Sequence, residues 1–261
     1  MRDKGLWEQH TPRIPALNSL ISWVDRPEGY SIVDLPTSLL KLTESIISRK
    51  LEPLASRPGL DFDTLLSDIV NGTNFDTVKG KAFRMFDAES VERLKGHDFC
   101  KRLFTEDGSL FISDEENLGY PNIYWRLVRA GSASDVGPVH ADHWFWDLGH
   151  GSIPSGYRRV KTWIPLRQDA DHVGLSIGPG THQTNFHYEK VFKDGKYKPV
   201  FERGPVEHLL IPAPVRVGQA VVFHDRLLHG GEVSPRELRL SMELTWVMRD
   251  DCSGGTSPTA S

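Results

Sequence analysis

The feature that most restricts what this chain can fold into is a change of texture near Asn122. Beyond it, short aromatic and β-branched runs are separated by turns rich in glycine and proline. NIYWRLVRAG (122–131), VKTWIPLRQ (160–168), GLSIGPG (174–180), YKPVF (197–201), the Ala220–Phe223 run and LRLSMELTWVM (238–248) each read as a strand. In the last, Leu238, Leu240, Met242 and Leu244 fall on one side, and Arg239 and Ser241 on the other. Short strands spaced by such turns predict a mainly β fold, a double-sheet barrel or jelly roll. No glycine-rich phosphate loop follows a strand, which argues against a doubly wound nucleotide fold.

The first third reads as helical. Residues 36–51 space Leu39, Leu40, Ile46 and Ile47 for one helix face, with Pro36 in the first turn and Pro53 and Pro58 ending the run. A second helix is predicted over 61–70, opened by acids and broken at Asn71-Gly72, and a third over 88–104 across Gly96. These helices are expected to pack on one sheet. A single domain would then span 1–250, with helical support over about 1–120 and a jelly-roll core over about 120–250. Residues 251–261, rich in Ser, Gly and Thr, are expected to form a disordered tail.

Composition narrows the partners. Formal net charge is -4, without the basic excess of a nucleic-acid binder. No run of 18 apolar residues suggests a membrane span, and the first fifteen residues lack the apolar core of a signal peptide. Cys100 and Cys252 are too few and too far apart for a disulfide framework, so a reducing, cytoplasmic setting is expected. A small-molecule substrate and a monomer or homodimer follow as expectations.

The chemistry-bearing residues lie in the strand-rich part. PVHADHW (138–144) places His140 and Asp142 two apart, on one side if the segment is extended. A third ligand must come from elsewhere. His229 is favoured, because two glycines follow it and Arg239 lies ten residues beyond. Histidines are common here, and His143, His150 and His224 compete for the role. Two imidazoles and a carboxylate cap one face of a ferrous ion and leave three positions open. Zinc suits the same donors, and spacing alone leaves both metals open. Arg239 and Ser241 would face away from the leucines of their strand. A buried guanidinium there calls for an anion, and its planar fork matches a carboxylate.

HADHW (140–144), GLSIGPGTH (174–182) and HGGEVSPRELRLSMEL (229–244), in that order, resemble the phytanoyl-CoA dioxygenase-like branch of the iron(II)/2-oxoglutarate oxygenases. The resemblance covers roughly residues 120–248. It implies a double-stranded β-helix, cupin-like, holding iron(II) at His140, Asp142 and His229. It also implies 2-oxoglutarate as co-substrate on Arg239 and Ser241, with dioxygen completing the reaction. Tyr124 and Arg126 occupy the stretch from which relatives add polar contacts, and Thr162 or Trp163 would line the cavity. The carboxylate at Asp142 speaks against a halogenase, since relatives of that kind have Ala or Gly there.

The implied reaction is hydroxylation of an unactivated carbon in a small polar metabolite or secondary-metabolite intermediate, with release of succinate and CO2. Desaturation, alcohol or amine oxidation, cyclisation and epimerisation begin with the same hydrogen removal. A long coenzyme-A thioester is disfavoured, because no broad Lys/Arg cluster stands beside the site. HWFWDLGHGSIPSGYRR (143–159) is expected to form a lid or pocket wall. Trp144 or Trp146 would stack on substrate, Asp147 meet an amine, and Arg158 or Arg159 a carboxylate or phosphate. A metal-dependent cupin of another class is the remote rival, but such proteins typically show His-x-His rather than His-x-Asp. A non-enzymatic β-sandwich would leave His140, Asp142, His229 and Arg239 as coincidence.

Overall fold

Helices form where apolar spacing and a capping residue coincide. In the computed structural model, which describes residues 24–101, 103, 109–193 and 195–250, α1 (Thr37–Leu51) buries Leu39, Leu40, Ile46, Ile47 and Leu51 on one face. Pro36 stands at its N-cap, one residue before the first turn. α2 (Phe62–Asn71) starts at Asp61, whose carboxylate accepts from the Thr64 amide at 3.1 Å, and stops at Gly72. α3 (Ala88–Lys95) starts at Asp87, which accepts from the Ser90 amide at 2.8 Å. Such caps each contribute about 1 kcal/mol. The helix expected to continue to 104 ends at Gly96, and Asp98–Lys101 is a separate turn.

The strands are β1 (Tyr30–Asp34), β2 (Leu110–Ile112), β3 (Ile123–Val128), β4 (Tyr157–Arg167), β5 (Leu175–Ile177), β6 (Glu189–Lys193), β7 (Lys196–Val200), β8 (Ile211–Pro212), β9 (Gln219–His224), β10 (His229–Gly231) and β11 (Arg239–Arg249). The larger sheet runs β1-β9-β4-β11-β2, with β3 also paired to β11. The smaller runs β10-β5-β8, and β6 and β7 form a separate hairpin. Every pairing is antiparallel.

Strand alternation divides the larger sheet into two environments. Leu240, Met242, Leu244 and Trp246 of β11, with Val160 and Ile164 of β4, join the apolar cluster that includes Leu39, Ile47 and Leu65 of the helices. Arg239, Ser241, Glu243 and Thr245, with Arg159, Lys161 and Trp163, face the other way. Between the sheets, Trp163, Val221 and Phe223 pack with Leu175, Ile177 and Leu227. The helices therefore close one face of the large sheet and leave its other face to the functional groups.

The fold is mixed α/β rather than mainly β, and two of its strands come from the part expected to be helical. β1 pairs along its whole length with β9, and β2 pairs with the end of β11. Both are edge strands of five and three residues, too short to display a period in sequence. The expected tail, 251–261, lies outside the described residues. Among the described residues no helix is long and apolar enough to cross a membrane.

Candidate metal centre and adjoining cavities

Main-chain pairing brings the distant ligands together. His140 and His229 form an antiparallel bridge, each amide donating to the other's carbonyl at 2.9 Å. Asp142 is not part of an extended run. Its backbone is helical (φ -61°, ψ -35°), one residue before α4 (His143–Asp147), and this bend turns the carboxylate towards the imidazoles. One ligand atom from each of His140, Asp142 and His229 lies within 4.8 Å of the others.

Each histidine is held by its Nδ1. His140 Nδ1 donates to Pro138 O at 2.8 Å, and His229 Nδ1 to Leu227 O at 3.0 Å. That tautomer leaves both Nε2 lone pairs free. They stand 3.6 Å and 3.7 Å from the two Asp142 oxygens. Burial, reinforced by His140, pushes the His229 imidazolium down to about 4, so the ring is neutral near pH 7. Burial opposes ionisation of Asp142, but Lys161 and the two imidazoles outweigh it and hold the carboxyl well below the usual range. Asp142 Oδ2 is buried without a hydrogen-bond partner. A neutral His229 ring, the His140 Nε2 and an orphaned carboxylate oxygen fit a divalent metal ion, and the arrangement is a facial triad of two histidines and one carboxylate.

One cavity of about 220 Å³ holds the triad together with Trp163, Phe223, Arg126, Glu243 and Arg239. Arg239 is 4% exposed. Its Nη1 donates to the Gly174 and Glu232 carbonyls, its Nε has no partner, and its guanidinium lies 5.9 Å from the Trp163 ring centroid. Burial lowers the guanidinium to about 10, which leaves it charged at neutral pH. Ser241, buried, follows on the same strand face. Arg126 pairs across the strands with Ser241, and its Nη2 lies 3.9 Å from Glu243 Oε1. Gly174 makes room for this arrangement, since a Cβ there would fall 2.0 Å from Arg239 Cδ.

A second cavity of about 220 Å³ shares Asp142, Phe145 and Lys161 with the first. Its remaining wall includes Lys81, Glu115, Glu116, Trp146, His150 and Lys196. Lys196 places the β6–β7 hairpin at this cavity. Along β11, Thr245, which pairs with Lys161, is six residues from Arg239, or ~20 Å. The triad thus sits between an arginine-lined end and a second, polar end.

Several expected residues sit elsewhere. Thr162 faces the helices, where Trp246 Nε1 donates to its hydroxyl at 3.1 Å, while Trp163 faces the triad. Tyr124 points to the second cavity's rim, donating to Glu116 Oε1 at 3.4 Å. Trp144 is a fully buried anchor stacked on Tyr188 at 5.0 Å. Asp147 is exposed. Arg158 is held by both carboxylate oxygens of Asp25, at 2.6 and 3.0 Å, and turns away. Trp146 does line the second cavity, with the Arg159 guanidinium 3.9 Å from its ring centroid. Lys161, Glu243 and Phe145 escaped the sequence reading. Lys161 and Glu243 had a signal, each sharing strand parity with a residue already singled out.

The family model described as phytanoyl-CoA dioxygenase (PhyH) matches residues 68–236. No curated protein matches in sequence. Among solved structures, the chain is similar to EctD from S. alaskensis, determined with 2-oxoglutarate and 5-hydroxyectoine. The identity is 14%, over 92% of this chain and 78% of that one, with a TM-score of 0.52. It is also similar to EvdO2 from Micromonospora carbonacea var. aurantiaca, at 14% identity over 87% and 89% of the two chains and a TM-score of 0.49. The epimerase SnoN, solved with Fe3+, alpha ketoglutarate and nogalamycin RO, matches at 16% identity over 94% and 93%, with a TM-score of 0.48. At such identities the likeness to EctD speaks for the fold alone.

Proposed function

The chain belongs to the phytanoyl-CoA dioxygenase family, and from that premise we propose that it uses iron(II), 2-oxoglutarate and dioxygen to oxidise a small polar metabolite, releasing succinate and CO2. The observation that carries the reading is the placement of the His140–Asp142–His229 triad and the buried Arg239 on one cavity wall. His140 and His229 offer Nε2 lone pairs, and Asp142 an ionised oxygen. Arg239 and Ser241 receive the distal carboxylate of 2-oxoglutarate, and Trp163 and Phe223 keep that end of the cavity dry. When bound, the metal with its co-substrate and dioxygen supplies the oxidant that removes hydrogen from a C–H bond.

Lys161 and Trp146 border the space left for substrate on the far side of the triad. Hydroxylation, desaturation, cyclisation, epimerisation and alcohol or amine oxidation share the hydrogen removal. The proposal is of that common step, with the outcome set by how the second cavity orients the substrate. The two facing sheets, the smaller extended by the His140–His229 bridge, support a double-stranded β-helix as the scaffold.

The test is oxygen-dependent conversion of 2-oxoglutarate to succinate by protein loaded anaerobically with iron(II). The expected result is turnover in the wild type and none in His140→Ala. Equal turnover in both proteins overturns the reading.

A further inference from the structure

The second cavity ends, beside the triad, at the buried ammonium of Lys161, which also borders the first cavity. Lys161 is 8% exposed and reaches this space from the middle of the large sheet. Its ammonium has three donors. Among the described residues its one hydrogen bond is to Thr245 Oγ1, at 3.3 Å, and its ion-pair contact is Asp142 Oδ2, at 4.0 Å. A metal held by Asp142 takes up that carboxylate's charge, and Lys161 then loses its partner. Two residues earlier on the same strand face, Arg159 is 7% exposed. It lies over Trp146, its Nε has no hydrogen-bond partner, and it makes no ion pair among the described residues.

Beyond Asp142, no acid nearby is in direct contact with this pair among the described residues. Glu243 lies 3.9 Å from Arg126. Glu116 is paired with Lys81, and Lys196 adds a further cation to the wall. Asp225, Glu115 and Asp147 act on Arg159 through space, and Glu115 and Glu243 on Lys161, but among the described residues none of them is in ion-pair contact with either cation. Buried cations with unfilled donors and no carboxylate in hydrogen-bond contact are costly, and an oxyanion entering the cavity removes that cost.

Resting on the proposed oxygenase activity, we infer that the substrate carries an oxyanionic group, a carboxylate or a phosphate monoester, which Lys161 receives together with Arg159. Lys161 is thus a specificity-determining residue as well as a neighbour of the metal ligand. The anion would sit against the Asp142 side of the triad, so the carbons next to it are those presented for oxidation.

The test uses the full chain loaded with cobalt(II), which replaces iron without turnover, and 2-oxoglutarate. Thermal melting is followed against a library in which each small carboxylic acid and each phosphate monoester is paired with a neutral amide or alcohol. The expected result is stabilisation by at least one oxyanionic member and not by its neutral partner. Its apparent affinity should fall about ten- to hundredfold in Lys161→Met, the loss expected for a charge-assisted hydrogen bond, and recover in Lys161→Arg. The acid and phosphate arms tell the two sources apart. Neutral members binding as well as their oxyanionic partners, or no oxyanionic member binding, overturns the inference. So does a Lys161→Met protein that keeps the oxyanion preference but binds cobalt more weakly, since Lys161 would then serve only Asp142. Failure of the wild type to bind cobalt and 2-oxoglutarate in the same melts sinks the oxygenase reading itself.

Discussion

Gly174→Ala tests the co-substrate end of the site without touching a charged residue. The added methyl would stand 2.0 Å from Arg239 Cδ, 3.0 Å from Nη1 and 3.1 Å from Cγ. Gly174 O accepts both the Arg239 Nη1 bond and the Glu232 amide at 3.0 Å, so the backbone there cannot easily retreat. Arg239 must therefore swing away. The guanidinium then loses its bond to the Gly174 carbonyl and its aim at the co-substrate. A hydrogen bond to a charged group is worth roughly 1.5–3 kcal/mol. Loss of about 2 kcal/mol in 2-oxoglutarate binding corresponds to about thirtyfold. Succinate formation measured against 2-oxoglutarate concentration should show KM rising by about that factor, with cobalt affinity unchanged. Arg239→Ala should raise KM by at least as much, and the double variant should match Arg239→Ala alone, because both act through one guanidinium. A Gly174→Ala protein with wild-type KM, or full additivity in the double variant, would refute the reasoning.

Three further outcomes are expected. Asp142→Ala should abolish turnover while the melting of the metal-free protein shows the fold retained; residual oxygen-dependent succinate formation above a few per cent would count against the ligand assignment. The metal-free protein should lose stability as pH falls from about 6.5 towards 4. His229 has its folded-state pKa lowered to about 4, so the unfolded chain takes up more protons across that window. Melting temperature against pH, compared with His229→Gln, checks this, and equal slopes in both proteins would remove the cause. Thr162→Val should leave the KM for 2-oxoglutarate alone and cost about 1 kcal/mol of stability through the lost Trp246 bond. A raised KM measured in the succinate assay would place Thr162 on the co-substrate side after all.

Local chemistry was legible where a pattern has a short period. The split of β11 into a leucine face and an Arg239–Ser241 face follows from alternation, which is a property of extended backbone. The helix over Thr37–Leu51 follows from apolar residues three and four apart. Which of Thr162 and Trp163 faces the triad did not follow, because alternation assigns two faces without naming the functional one. The pairing of β11 with β4 sets the side, with Thr162 against Leu244 and Trp163 against Glu243. Arg158 and Arg159 were equally ambiguous until Asp25, 133 residues away from Arg158, claimed one of them.

The sequence by itself determined the donor types and the strand periods, because those are carried by adjacent residues. Tertiary structure alone decided the convergence of His140 with His229, the sharing of Lys161 between two cavities, and the seat of Arg239 against Gly174. Each of these joins segments dozens of residues apart, and no local propensity encodes which distant backbone will pair with which.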